Sequence, residues 1–512
     1  MWIMPCHSEI KIKLTGDIDK LHAILQSLEL SPFVKLSCQK NYETYYYDTK
    51  DYRLIKNNIV LRRRKLEENK NILGLKWRNP RSSLFERGEF EVGIQDERID
   101  LKAFGETWNQ KITQVISNSE IELKFSVIVQ REIYRLGSGD TLIEISLDRG
   151  KIISTNKTCE IKEIELELKS GQVSILYNLA INFVEKLHLS VELESKAERG
   201  FLLEGGRLRK YIYKFAGGFD LVADPEAFIT YSINTLIKKF SEQIRILSDG
   251  FHPHHIHQTR VILRRLRVIF SALKRISSNN DFDELNGEAR RMASLLGKVR
   301  EYDVLEDLIN SFLKYQNNND YSIDELISQI RIKKEISLEN SKIIISQGMA
   351  AIFIIKVERL INKAGYLKPV NESDHNNVPF KTDKISSLIL TKIEKRVKKH
   401  GVKIKDLHDI GLHQLRIDLK KLRYLADFLS PIYEKKAVKE YIKHVSQLQE
   451  YLGEHNDIIN AEKLLQQISK NLSESAQFSA GKIIGWYACA DLRSTKKLNK
   501  KWKKFSLVPH FW

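Results

Sequence analysis

Four cysteines in 512 residues (Cys6, Cys38, Cys159 and Cys489) lie far apart and form no CxxC pair. That spacing excludes a disulfide framework and a zinc knuckle, and it fits a reducing cytosol. No run of 18 or more uncharged apolar residues occurs, which argues against a membrane span. The opening Met1-Trp2-Ile3-Met4-Pro5-Cys6 has no basic n-region and no long apolar stretch, so a secretion signal is not expected. There is no GxxxxGK(S/T) phosphate loop, no zinc-ligand spacing and no aromatic RNA-binding strand.

What is present is charge. Lys and Arg number 84 against 66 Asp and Glu, a net charge of +18. Residues 1–205 carry 31 basic and 31 acidic side chains, and residues 206–512 carry the other 53 and 35. The whole excess therefore lies in the second part. A surplus of that size calls for a polyanionic partner: nucleic acid, an anionic membrane or a polyphosphate. Apolar residues make up 42% of the chain, ample for folded cores.

The two parts differ in periodicity. The first is rich in alternating runs, among them Glu9-Ile10-Lys11-Ile12-Lys13-Leu14, Ile143-Glu144-Ile145-Ser146-Leu147-Asp148 and Glu163-Ile164-Glu165-Leu166-Glu167-Leu168. Period-two patterning at this density predicts an antiparallel sheet of about eight or nine strands. Helical segments are expected near 17–30, 98–116 and 171–188. The second part has 3.6-period stretches through 226–248, 256–275, 282–312, 322–363, 382–400, 411–430, 435–470 and 475–498, and it reads as all-helical. The fold class is α+β multidomain. We expect a sheet domain over 1–204, a linker over 205–221, a helical domain over 222–505 and a tail over 506–512.

The helical part contains a repeat. His257-Gln258-Thr259-Arg260 and the following Val261-Ile262-Leu263-Arg264-Arg265-Leu266-Arg267 match His413-Gln414-Leu415-Arg416 and Ile417-Asp418-Leu419-Lys420-Lys421-Leu422-Arg423, 156 positions on. Leu296-Gly297 and Leu452-Gly453 stand at the same offset. Two motifs at one offset predict two pseudo-symmetric helical bundles, about 222–366 and 380–505, joined by the polar loop 371–377. On each repeat helix, four basic-capable side chains share an arc of about 80°. A solvated face would explain one such run. Like charges at i, i+3, i+4 and i+7 repel, however, and a stripe in both copies is better explained by an anion lying along it. His257 and His413 read equally as capping or core residues.

In the first part, alternation puts charges of both signs on one face of each strand. Two arrangements satisfy that pattern: a half-buried sheet with a charged solvent face, or a closed barrel with a charged interior. In a closed barrel, interior charges must be paired or ligand-bound. Carboxylates there suit a hard divalent cation, and Arg or Lys suit phosphate oxygens.

The ordered pieces from 8 to 204 resemble the CYTH family, the triphosphate tunnel metalloenzymes. They include the Glu9–Leu14 run above, Tyr46-Tyr47-Asp48-Thr49, Leu61-Arg62-Arg63-Arg64, Leu73-Gly74-Leu75-Lys76, Arg87-Gly88-Glu89-Phe90-Glu91, Arg131, the two acidic runs and Ser195-Lys196-Ala197-Glu198-Arg199-Gly200. The resemblance implies an eight-stranded antiparallel tunnel barrel with covering helices that binds a triphosphate with Mg²⁺ or Mn²⁺. Lys13, Arg62, Arg64, Lys76, Arg131 and Lys196 would be phosphate ligands. Glu9, Glu144, Asp148, Glu163 and Glu165 would hold the metal, while Glu163 and Glu167 would alternatively pair with tunnel arginines. Arg63 and Lys65, on the other face, are expected to be solvated, and Tyr46 and Tyr47 to be strand core. One departure stands out: the family's opening Glu-x-Glu-x-Lys is Glu9-x-Lys11-x-Lys13 here. Lys11 should point inward. It would lower metal affinity, reduce the metal count, or leave a binder without turnover.

The helical repeat resembles the CHAD domain, over about 222–505. That resemblance implies a basic groove for long-chain polyphosphate, contacted by His257, Arg260, Arg264, Arg265, Arg267, Arg300, His413, Arg416, Lys420, Lys421 and Arg423. The expected activity is a metal-dependent inorganic triphosphatase located in the cytoplasm, associated with polyphosphate granules. The alternatives are a non-catalytic polyphosphate binder, an organic triphosphatase or an adenylate cyclase. No membrane association and no specific nucleic acid are expected, and oligomeric state stays open.

Overall fold

The structure is a computed structural model that describes residues 3–26, 34–66, 70–79, 82–117, 119–205, 208, 224–277, 279–316, 322–363, 366–367, 381–402, 404, 407, 409–492 and 495–512. The 371–377 loop lies outside these residues. The first part alternates strands and helices. In order they are β1 (Ile3–Thr15), α1 (Ile18–Gln26), β2 (Val34–Thr49), α2 (Arg53–Lys56), β3 (Ile59–Lys65), β4 (Asn71–Trp77) and β5 (Glu86–Ile94). Then come α3 (Gly105–Ile116), β6 (Ile121–Ser138), β7 (Thr141–Ile153), β8 (Thr158–Ser170), α4 (Val173–Leu187), β9 (Ser190–Val191) and α5 (Lys196–Glu204).

The strands run in the order β5-β4-β3-β2-β6-β7-β8-β1, and a β1–β5 pairing closes the ring. Every pairing is antiparallel, and β9 adds to β1. Eight strands thus form a closed barrel without a free edge. Of the two arrangements the alternation allowed, this is the charged-interior one. The apolar face is outside: Leu61, Leu73, Leu75 and Val92 pack beneath Phe104 and the α3 residues Ile112 and Ile116.

The inward register turns apolar at one end. There Tyr46, Phe125, Val127, Val129, Ile152 and Ile161 pack against Ala197 and Phe201 of α5. Tyr46 is therefore core, as expected. Asp48 of the same motif is structural too. Its buried carboxylate accepts hydrogen bonds from the backbone N–H groups of Thr49, Leu54 and Ile55 at 2.7, 2.9 and 2.9 Å, fixing the turn into α2.

The second part is helical: α6 (Pro225–Asp249), α7 (Pro253–Leu273), α8 (Asp281–Gln316), α9 (Ser322–Ser346), α10 (Met349–Ile361), α11 (Thr382–Gly401), α12 (Asp409–Leu429), α13 (Lys435–Ser469), α14 (Glu474–Leu492) and α15 (Thr495–Ser506). The repeat is visible in these lengths. Both α7 and α12 have 21 residues, and α8 and α13 have 36 and 35. The stretch read as one helix over 322–363 is two, because Gly348 adopts φ +68°, a left-handed conformation that ends α9.

Compactness does not follow chain order. One unit gathers 1–219 with 233–241 and 345–364, and the other holds 220–232, 242–344 and 365–512. In the first unit, α10 packs on α4, and the fully buried Glu358 carboxylate accepts from Leu84 N–H at 2.6 Å and Ser83 Oγ at 2.9 Å.

Candidate functional site: a charged barrel interior and a basic groove

The barrel encloses a cavity of about 440 Å³, lined by Glu9, Lys11 and Lys13 of β1, Arg62 and Arg64 of β3, Lys76 of β4, Arg131 of β6, Glu165 and Glu167 of β8, and Lys196 of α5, among others. Period-two geometry places these groups together, since alternate residues of every strand face inward. Asp148 and Glu163 are directly opposed across β7 and β8. Like charges in that position repel, so cations must hold them.

Those cations are present. Lys196 Nζ lies 2.6 Å from Asp148 Oδ2 and 2.8 Å from Glu165 Oε1, with Glu163 as its third neighbour. Arg131 grips Asp148 through two bonds of 2.6 Å and reaches Glu165 at 2.7 Å. Arg62 pairs with Glu89 and Glu91 at 2.5 and 2.6 Å, and Lys76 with Glu9 and Glu89 at 2.7 and 3.1 Å. Burial pushes the Glu9 and Glu165 carboxyls up. The Lys11 ammonium, with Lys76 beside Glu9 and Lys196 and Arg131 beside Glu165, outweighs burial and holds both well below the ordinary range.

Two cations differ from the rest. Burial, followed by the Arg87 charge, pushes Lys13 down to about 7, and its ammonium donates to Glu194 O at 2.6 Å. Arg64 lies over the Tyr42 ring at 4.8 Å, with its Nε buried and without a hydrogen-bond partner. Burial, then Arg62, pushes its guanidinium down. Arg131 approaches the same ring at 5.7 Å, so Tyr42 supplies π-electron density to two like charges.

Among the described residues, Asp148, Glu163 and Glu165 form one buried group whose ligand oxygens lie within 4.8 Å of one another. These are hard oxygen donors and they fit Mg²⁺ or Mn²⁺. Glu9 and Glu144 lie outside the group. Glu9 is bound to Lys11 and Lys76, and Glu144 stands 3.8 Å from Lys169. Glu163 pairs with Lys196 and Arg199, and Glu167 pairs with Lys11 and Lys169 instead of the arginines that the alternative named.

Arg63 corrects an expectation. It is 5% exposed on the outer face, hydrogen-bonded to Asn71 Oδ1 at 3.0 Å and stacked on Tyr45 at 4.6 Å. A helix-covered barrel has little solvated outer face, so a charge there needs internal partners. Glu198 was missed as a functional residue. It completes a capping box with Ser195 at the start of α5 and also binds Arg78 and Arg87 at 3.0 and 3.1 Å. The Ser-x-x-Glu spacing was the available signal. That cap orients the first turn of α5, from which Lys196 reaches the acidic group.

In the helical unit, a groove of about 750 Å³ is lined by all eleven residues expected there, from His257 and Arg260 through to Arg423. Ile262, Leu266, Ile269 and Leu273 bury the opposite face of α7, as Leu422, Leu425 and Leu429 do for α12. Arg260 crosses α8 at Gly297 and donates to Ala293 O at 2.6 Å. His413 Nδ1 meets Asn456 Oδ1 at 2.7 Å. Acids are sparse: Asp457 is 3.7 Å from Arg416 and Asp427 is 3.6 Å from Arg265. Burial, then Arg416 and Arg264, pushes Lys420 down to about 7, and burial, then Arg264, pushes Arg260 to about 10. No helix among the described residues is long and apolar enough to cross a membrane.

A closed barrel of opposed charges followed by a helical repeat defines the class, and comparison with known families agrees. Residues 7–201 match the CYTH domain and 233–466 the CHAD domain: the chain is a CYTH domain followed by a CHAD domain. Over 163 residues, 31% of the chain, it is 31% identical to an inorganic triphosphatase of Haemophilus influenzae, and the match spans 44% of that protein. The CHAD domain from the plant Ricinus communis is similar at 19% identity, covering 58% of this chain and 98% of that one, with a TM-score of 0.48. A Hippeastrum protein described as a candidate adenylyl cyclase with a dominant triphosphatase activity is 19% identical, covering 39% of this chain and 95% of that one, with a TM-score of 0.26.

Proposed function

We propose that the barrel is a metal-dependent triphosphatase that cleaves inorganic triphosphate to pyrophosphate and phosphate, and that the helical groove holds long-chain polyphosphate. The observation that carries the reading is the barrel interior, where Arg62, Arg64, Lys76, Arg131 and Lys196 line the cavity that holds Glu165 of the acidic group. The 31% identity over 163 residues to the Haemophilus influenzae inorganic triphosphatase supports it.

A triphosphate repels an attacking water through its own charge. Arg62, Arg64 and Arg131 would bind the non-bridging oxygens and fix the chain in line. Lys76 would neutralise a terminal phosphoryl group, and Lys196 would pass from the carboxylates to the incoming phosphate. Asp148, Glu163 and Glu165 would hold Mg²⁺ or Mn²⁺, which when bound supplies charge neutralisation for the leaving group. Positioning and electrostatics do the catalysis, and no covalent nucleophile is required.

Phosphate release from triphosphate, with each divalent metal and a panel of nucleoside and thiamine triphosphates, tests the reading. Arg62→Ala and Arg131→Ala should each lower turnover by about 100-fold or more. A chain that binds triphosphate tightly and releases no phosphate under any metal would be the non-catalytic binder. Lys11, sitting among three carboxylates, is the observation that favours that second reading.

A further inference from the structure

Two ammonium groups flank the Glu165 carboxylate. On one side, Lys196 is enclosed by Asp148, Glu163 and Glu165. On the other, Lys11 Nζ lies 2.5 Å from Glu9 Oε1, 3.2 Å from Glu165 Oε2 and 3.0 Å from Glu167 Oε2. Each ammonium therefore has three carboxylates around it, and Glu165 belongs to both cages through different oxygens. A carboxylate shared between two adjacent oxygen cages is the donor arrangement of a two-cation site.

The two ammoniums are not equivalent. Lys196 stands in the first turn of α5, outside the strand ladder. Lys11 stands in the middle of β1, its backbone locked into the closed ladder opposite Glu167, with its N–H bonded to Phe85 O at 2.8 Å.

We infer that the Lys11 ammonium is a built-in cation: it fills the Glu9-Glu165-Glu167 cage, so this chain takes no divalent ion there. The inference rests on the proposed metal reading only for the ion at Asp148-Glu163-Glu165. Lys11 thus sets the cation count of the site and leaves a fixed positive charge beside the phosphate path. Without it, three carboxylates would share one low-dielectric cavity, and a divalent ion becomes the natural replacement.

The test is Mn²⁺ stoichiometry, by calorimetry and by the electron paramagnetic resonance signal of free Mn²⁺, on the full chain without substrate. The variants Lys11→Met and Lys11→Gln are one heavy atom shorter and remove the charge. Each should bind one Mn²⁺ per chain more than the wild type, and adding Glu9→Gln should abolish that gain. An unchanged count in a folded variant, or two Mn²⁺ in the wild type, overturns the inference. The wild-type measurement alone retains that power if the variants do not fold. Wild type binding no Mn²⁺ defeats the metal reading of the proposed function, whereas the difference between variant and wild type judges Lys11 independently.

Discussion

Gly297 shows how much a single missing side chain can settle. A Cβ built there would lie 2.3 Å from Arg260 Nη1, whereas one at its repeat partner Gly453 meets nothing within 4 Å. The obstructed atom is the end of a flexible side chain, so the fold can absorb a methyl group at little cost, but Arg260 must leave Ala293 O. Gly297→Ala should therefore lower polyphosphate affinity about 10-fold, the worth of one charge-assisted contact, with thermal stability nearly unchanged. Gly453→Ala is the control and should bind as the wild type does. Titration calorimetry on both variants decides it, and equal losses would show that the crossing is irrelevant to binding.

Elements depend on partners far away in sequence, and α10 is the case in point. Its Glu358 is bonded to Leu84, 274 positions earlier, and Tyr177 of α4 donates to the Glu358 carbonyl at 3.3 Å. Burial pushes the Glu358 carboxyl up to about 7, with Lys238 and Arg78 pulling the other way. A carboxyl raised in the folded state keeps its proton there while the unfolded chain releases it. Stability is thus fully present below the unfolded pKa and is lost as pH rises toward 7, on the order of 3 kcal/mol in all. Glu358→Gln should remove that fall: the difference in unfolding free energy between variant and wild type should shift in the variant's favour from pH 4.5 to 7.5. A pH-independent difference would mean that Glu358 does not titrate there.

The same element marks where sequence stops being informative. Period two survives in β1, β7 and β8 because each strand has one apolar and one charged face, so the shared charged face of Glu9, Lys13, Asp148 and Glu165 could be read directly, whereas alternation alone did not say that this face points into a closed barrel. The stripe on α7 and α12 was equally legible, since 3.6-residue spacing separates Arg260 and Arg264 from Ile262 and Leu266. Register across strands was not legible, and it is register that groups Asp148 with Glu163 and leaves Glu9 and Glu144 elsewhere. Arg63 was misjudged because alternation says which face a residue takes and not what covers that face. Glu358 gave no local signal, because its hydrogen-bond partners come from a distant turn.

At the scale of the whole molecule, the two proposed anion sites are built on opposite electrostatic plans. Residues 1–205 carry equal numbers of acids and bases, and the excess of +18 belongs to the rest. In the barrel, Arg62, Lys76, Arg131 and Lys196 already have carboxylate partners, so the interior projects little net field. Specificity there would come from exchanging one set of short contacts for another in a buried cavity, where salt screens weakly. In the groove, Arg260, Arg264, Arg416 and Lys420 have few acids near them, and their mutual repulsion is a standing cost that a polyanion relieves. Affinity there should follow the behaviour of polyelectrolyte binding, in which released counterions make the complex strongly salt-dependent. Raising monovalent salt from about 0.05 to 0.2 M should weaken long-chain polyphosphate binding about 10-fold or more, while the KM for triphosphate changes much less. The two constants are measurable on one preparation, by calorimetry for the polymer and by phosphate release for triphosphate. Equal salt slopes would show that both ligands enter one site and would remove the reason for assigning the groove a separate role.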